Sequence, residues 1–207
     1  NPEHVEVLMQ GAEVWNAWRR KNIGVPGMPE YPDLVNAELQ GANLNGVNLN
    51  HAKLAHADLR NAGLIKAHFE NADLRHAILL EAYLEEAKLQ KADLRNSILI
   101  KATLYRADLS DANLEETKGI KAELFLANLS RAKLINADFK ESGLHGATLT
   151  DVDFSGAKLN RSDLTNADLE RAKLIGADLQ GVTFSGSRFK ATIVSDCAIY
   201  GVSVWGV

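Results

Sequence analysis

Leucine recurs at every fifth residue from Leu39 through Leu44, Leu49, Leu54 and Leu59, and the register runs on to Val204 without an insertion. That makes (204 − 39)/5 + 1 = 34 consecutive units. A helix repeats its buried face every 3.6 residues and a strand every 2.0, so a period of five serves neither. The chain has to turn once per unit. Repetition on this scale decides the fold before any single element is considered.

The occupants of each unit say which residues point inward. Of the 34 centres, 25 are Leu and five are Phe, the others being Gly119, Val194, Ile199 and Val204. Two residues earlier stands Ala in 23 units and Ser, Thr, Val or Cys in the other 11, so each unit offers the interior one large and one small side chain. The remaining three positions face water. Coils built this way stack through backbone hydrogen bonds at about 4.8 Å spacing. Asp or Asn precedes the centre in 13 units, as at Asn43, Asp58, Asp73 and Asp168, where its side chain can bond nearby backbone groups and hold a turn.

Ala42-Asn43-Leu44, Ala57-Asp58-Leu59, Ala107-Asp108-Leu109 and Ala167-Asp168-Leu169 match the A-(D/N)-L-x-x unit of the pentapeptide repeat family, which the chain therefore resembles. The resemblance implies a β-solenoid in the form of a right-handed quadrilateral β-helix, with four units per coil. The 34 units would then make about 8 coils and a rod roughly 40 Å long. Under that rule one interior column reads Leu59, Leu79, Leu99, Gly119, Phe139, Leu159. Two readings fit Gly119: Phe139 fills the volume it leaves, or the chain bulges around Thr117-Lys118-Gly119.

Residues 1–24 break the period and read as an N-terminal capping helix. Pro2 and Glu3 suit a first turn, and Val5, Leu8, Ala12, Trp15 and Trp18 recur at helical spacing. Arg19, Arg20 and Lys21 suit a last turn and Gly24 a stop. Residues 25–36 read as a linker into the first coil, and 37–207 as the solenoid. A solenoid needs its end coils covered. The C-terminal coil instead gains Ile193, Ile199, Tyr200, Val202 and Trp205, so the expectation is that more chain, or a second copy, covers it.

Composition excludes several roles. The net charge of −4 is spread as mixed signs along the repeats, which suits neither a phosphate-binding surface nor a polyanion, so no nucleic-acid partner is expected. No apolar run is long enough to span a membrane. The lone Cys197 fits a reducing compartment, and a cytoplasmic, bacterial protein is the expectation. His56 and His76 stack on one corner with His51 one side away, but two imidazoles without a carboxylate or thiol make a poor metal site. Asp153 of the Asp151/Asp153 pair occupies the turn-bonding position. No phosphate loop or nucleophile motif is present, and an uninterrupted solenoid lacks loops to carry an active site. No enzyme activity, cofactor, metal or catalytic residue is expected.

Two surface columns stand out. The corner series Lys91, Asp111, Arg131, Asp151, Arg171 alternates in sign coil by coil, a ladder of stabilising pairs. Leu80, Ile100 and Ile120 form an outward apolar column flanked by Ile78 and Ile98, with Tyr105, Phe125 and Leu126 on the adjoining side. A contiguous apolar patch marks a contact with a partner or a second copy; ordinary β-propensity on a solvated face is the alternative. The reading is a non-enzymatic structural or interaction scaffold that presents flat faces to a protein partner or to its own copy, through this patch or the open C-terminal end. It could serve as the sensor or spacer part of a longer protein. The family resemblance also implies a rival, the DNA-mimicking inhibitors of DNA gyrase that protect against quinolones. These depend on a strongly acidic surface that this chain lacks.

Overall fold

The structure, a computed structural model, describes residues 1–22 and 31–203. Every residue that precedes a centre pairs in parallel with the residue twenty positions on, from Asp33↔Lys53 and Glu38↔Asp58 to Thr183↔Ser203. A twenty-residue coil of five-residue units has four sides. Two sets of bonds join coils. The centre N–H donates to the carbonyl 19 residues on, as Leu59 to Ile78 at 2.8 Å, and the preceding N–H donates 21 residues back, as Asp58 to Ala37 at 2.9 Å. Each side is so short that among the described residues only β1 (Lys173–Ile175) and β2 (Ile193–Ser195) extend to a three-residue strand, paired Lys173↔Ile193.

The turn between sides has one backbone solution. Every fifth residue from Asn36 to Gly201 takes a left-handed conformation, with φ between 55° and 70°. That region is uncommon outside Gly, Asn and Asp, and for a β-branched residue it is a genuine outlier. The occupants obey the rule: none is Val, Ile or Thr, although those residues stand one position earlier at Val35, Ile65, Ile100, Ile120 and Thr165. The Asx side chain supports the approach to the corner. Asp58 Oδ1 accepts from Arg60 N–H at 3.1 Å, and Asp163 Oδ1 from Thr165 N–H at 2.9 Å.

The interior is a column of Leu and Phe centres and small residues, buried from Leu34 to Phe184. At Gly119 the two readings separate. A Cβ built there would lie 2.2 Å from Phe139 Cε1, so the ring occupies the missing side chain's volume. The ladder stays in register, with Ile98↔Lys118 and Lys118↔Asp138 paired and Gly119 N–H bonded to Asp138 O at 2.7 Å. There is no bulge. Three interior hydroxyls donate to the centre carbonyl 23 residues back, Thr117 to Leu94, Ser162 to Phe139 and Ser187 to Leu164, whereas Ser142 donates to Phe139 three residues back.

The single helix expected over residues 1–24 is two: α1 (Pro2–Leu8) and α2 (Ala12–Asn22). Asn1 caps α1 by accepting Glu3 N–H at 3.1 Å. The break falls at Gly11, whose φ of 102° is open to glycine at little cost. Both segments keep their apolar spacing, and Leu8 and Trp15 are each fully buried. The helices satisfy backbone groups of the first coil. Trp15 Nε1 donates to Asn48 O at 2.7 Å, Asn16 Oδ1 accepts Asn48 N–H at 2.8 Å, and Arg19 Nη1 donates to Asn50 O at 3.0 Å. Among the described residues pairing begins at Asp33, four residues before the expected boundary at 37. The expected stop at Gly24, the linker over 25–30, and Val204 and Trp205 lie outside the described residues. At the other end the centres Val194 and Ile199 are 51% and 64% exposed. Among the described residues no helix is long and apolar enough to cross a membrane.

Candidate interaction surface

Stacking places the predicted apolar residues on two adjacent sides. Ile78 pairs directly with Ile98 in the ladder, with Leu80, Ile100 and Ile120 two positions further along their sides. All five are half-buried, because neighbours one coil above and below cover much of each side chain. The adjoining side carries Tyr105 and Leu126, both exposed, and a half-buried Phe125. Phe125 lies over Gly143 of the next coil, where a Cβ would come within 2.5 Å of the ring. Leu126 leans on Gly146 in the same way. Part of this surface is thus packed by the solenoid itself, and Phe125 has a structural role beside any contact role.

Tyr83 was missed in the sequence. It pairs with Thr103 beside the Tyr105 column and is 48% exposed, so it extends the aromatic surface by one coil. Its signal was legible: a large aromatic residue at a position that most units fill with Asp, Asn, Lys or Thr. Arg106 stacks over the Tyr105 ring at 5.0 Å, a cation–π contact that holds the ring against the face.

Around the patch the surface is closely neutralised. Arg131 donates to both oxygens of Asp111, at 2.6 and 2.7 Å, and Arg171 to both of Asp151, at 2.7 Å each. These bonds from Arg131 and Arg171 hold the two carboxyls below the usual carboxylate range. Lys91 heads this series and adds to the field on Asp111. Two other corners carry Lys66–Glu86, Lys101–Glu81 and Lys121–Glu141 pairs. On a flat side Asp73 is paired by Arg75 and Asp93 by Arg95. Among the described residues no side presents an unbroken negative field. The His56 and His76 rings stack at 4.7 Å, nearly parallel. Among the described residues no group of three or more His, Cys, Asp and Glu could hold a metal ion.

A family model described as pentapeptide repeats matches residues 33–64, 42–80, 77–115, 122–161 and 153–190. No curated relative matches the chain. Among solved structures, a trypsin-treated variant of QnrB1, described as a plasmid-mediated fluoroquinolone resistance protein, superimposes with a TM-score of 0.75 at 17% identity. That match covers 84% of this chain and 86% of QnrB1. Full-length QnrB1 gives 0.73 at 16% identity, over 84% and 89% of the two chains. HetL of the cyanobacterium Nostoc sp. strain PCC 7120, described as involved in heterocyst differentiation regulation, is 27% identical over 88% of this chain and 95% of its own, with a TM-score of 0.41. The QnrB1 likeness establishes a common fold.

Proposed function

The chain belongs to the pentapeptide repeat family, and from that premise we propose that it works as a non-enzymatic scaffold, a helix-capped rod of about eight coils that offers a flat side to a protein partner. The observation that carries this reading is the apolar column Ile78, Leu80, Ile98, Ile100 and Ile120 beside Tyr105, Phe125 and Leu126, on a surface otherwise laced with ion pairs. Apolar patches rimmed by polar residues mark contacts, and aromatic side chains dominate their energetics. The test is Ile100→Lys combined with Tyr105→Glu, both outward-facing, with the fold checked by circular dichroism. A photoreactive residue at Ile98 should crosslink to a partner or second copy in the wild type and lose that product in the double variant. Crosslinking no stronger than from a polar position such as Lys133 would sink the reading.

The family resemblance supplies a second reading, inhibition of DNA gyrase by imitation of DNA, and QnrB1, which shares the fold, is described as a fluoroquinolone resistance protein. Duplex DNA presents continuous negative charge, whereas here Arg60, Arg75, Arg95, Arg131 and Arg171 each sit against a carboxylate. Supercoiling by DNA gyrase should therefore proceed unchanged with added protein. Inhibition at micromolar protein would replace the scaffold reading with this one.

A further inference from the structure

Helix α2 meets the first coil over a cavity of about 260 Å³ lined by Asn16, Arg19, Arg20, Gly46, Asn48 and His68. No carboxylate is among these residues. Arg19 is only 7% exposed, yet its Nη1 touches neutral oxygens alone: Asn48 O at 2.9 Å, Asn48 Oδ1 at 3.1 Å and Asn50 O at 3.0 Å. A buried cation with no counter-charge is costly, and burial holds the Arg19 pKa below its ordinary value.

The acceptors at this junction are engaged in docking the helix. Gly46 O accepts from Asn16 Nδ2, and Asn16 Oδ1 accepts from Asn48 N–H. Asn48 O takes Trp15 and Arg19, and Asn48 Oδ1 takes Arg19 and Asn50 N–H. Among the residues lining the cavity the groups without a partner are donors: Nε and Nη2 of Arg19, the exposed Arg20 guanidinium, and Nδ2 of Asn48; Glu70, outside the lining, keeps a buried Oε2 without a partner. His68 adds its Nε2, since Glu70 lies on the Nδ1 side at 3.6 Å.

From this donor-rich cavity around a buried arginine with no carboxylate in contact we infer that the junction of α2 and the first coil binds a small oxyanion, a phosphate group carried as the free ion or as a phosphomonoester. Guanidinium groups match phosphate oxygens in geometry and form strong charge-assisted bonds with them. The ligand would supply the counter-charge that Arg19 lacks and tie the cap to the rod. The test is calorimetric titration of the intact chain with inorganic phosphate, and separately with adenosine monophosphate, at constant ionic strength. Saturable binding is expected, weakened about tenfold by Arg20→Gln and less by His68→Gln, and unchanged by Arg75→Gln on a distant side. Tighter binding of the nucleotide identifies a phosphomonoester site, and equal or weaker binding a site for the free ion. Absence of saturable binding with both probes, or equal loss in the Arg75→Gln control, overturns the inference.

Discussion

Gly119 and Phe139 offer a sharp test of how the interior is filled. Restoring the regular residue, Gly119→Leu, inserts four carbons where even a Cβ would lie 2.2 Å from Phe139 Cε1 and 2.5 Å from Cδ1. Carbon atoms pack at about 3.5–4.0 Å, and the ring has little freedom to retreat because it is 1% exposed. This overpacking should cost about 3 kcal/mol. Phe139→Leu alone leaves the space above Gly119 empty and should cost about 1–2 kcal/mol. The double variant carries leucine at every centre of the column from Leu59 to Leu159 and should fall within about 1 kcal/mol of the wild type, giving a coupling energy of roughly −4 kcal/mol. Urea titration followed by circular dichroism measures all four proteins. Hydrogen exchange at the Gly119 amide, bonded to Asp138 O, reports the same site locally, which matters where a long repeat array does not unfold in one step. A double variant as unstable as the sum of its singles would show that the ring does not stand in for the missing side chain.

The corner rule predicts that Glu116→Val loses about 1–2 kcal/mol while Glu116→Gly gains up to about 1 kcal/mol, since the backbone there has φ of 57°; equal melting temperatures would refute it. Ser97 Oγ is buried without a partner, whereas Ser187 Oγ donates to Leu164 O. Ser97→Ala should therefore stabilise by about 0.5–1 kcal/mol and Ser187→Ala destabilise by about 1 kcal/mol, and matching shifts in urea midpoint would refute the distinction. Asp73 and Asp111 are held below the usual carboxylate range by bonds from Arg75 and Arg131. A depressed folded pKa contributes stability in full above the unfolded value, about 3.9, and loses it as pH falls through the folded value. The urea midpoint should hold steady from about pH 7 to 5 and decline below about pH 4, and a flat profile to pH 2.5 would count against these pairs.

Much of this was legible in the chain itself. A period of five with a large and a small inward residue cannot be a helix or a long strand, and the Leu/Ala columns are buried as that period requires. The sign alternation of Lys91, Asp111, Arg131, Asp151 and Arg171 was readable for the same reason: strict periodicity converts sequence distance into spatial contact. The left-handed corners had a signal as well, the absence of Val, Ile and Thr at one position in five, but it is visible only once the register is known.

Other features depend on contacts that no local pattern encodes. Helical spacing ran unbroken through Leu8, Ala12 and Trp15, yet the chain breaks at Gly11, between two helices that each bury an apolar residue. That Phe139 fills Gly119's place while Phe125 covers Gly143 depends on which way each ring turns between coils. The cavity at Arg19 arises because side chains of α2 take the place of ladder partners at Asn48 and Asn50, about thirty residues away in sequence. Periodicity therefore determined the rod, because each coil repeats the same local problem. Packing between non-repeating parts decided how the two helices dock, the shape of the patch and the donor-lined junction, because their partners are brought together only by the finished fold.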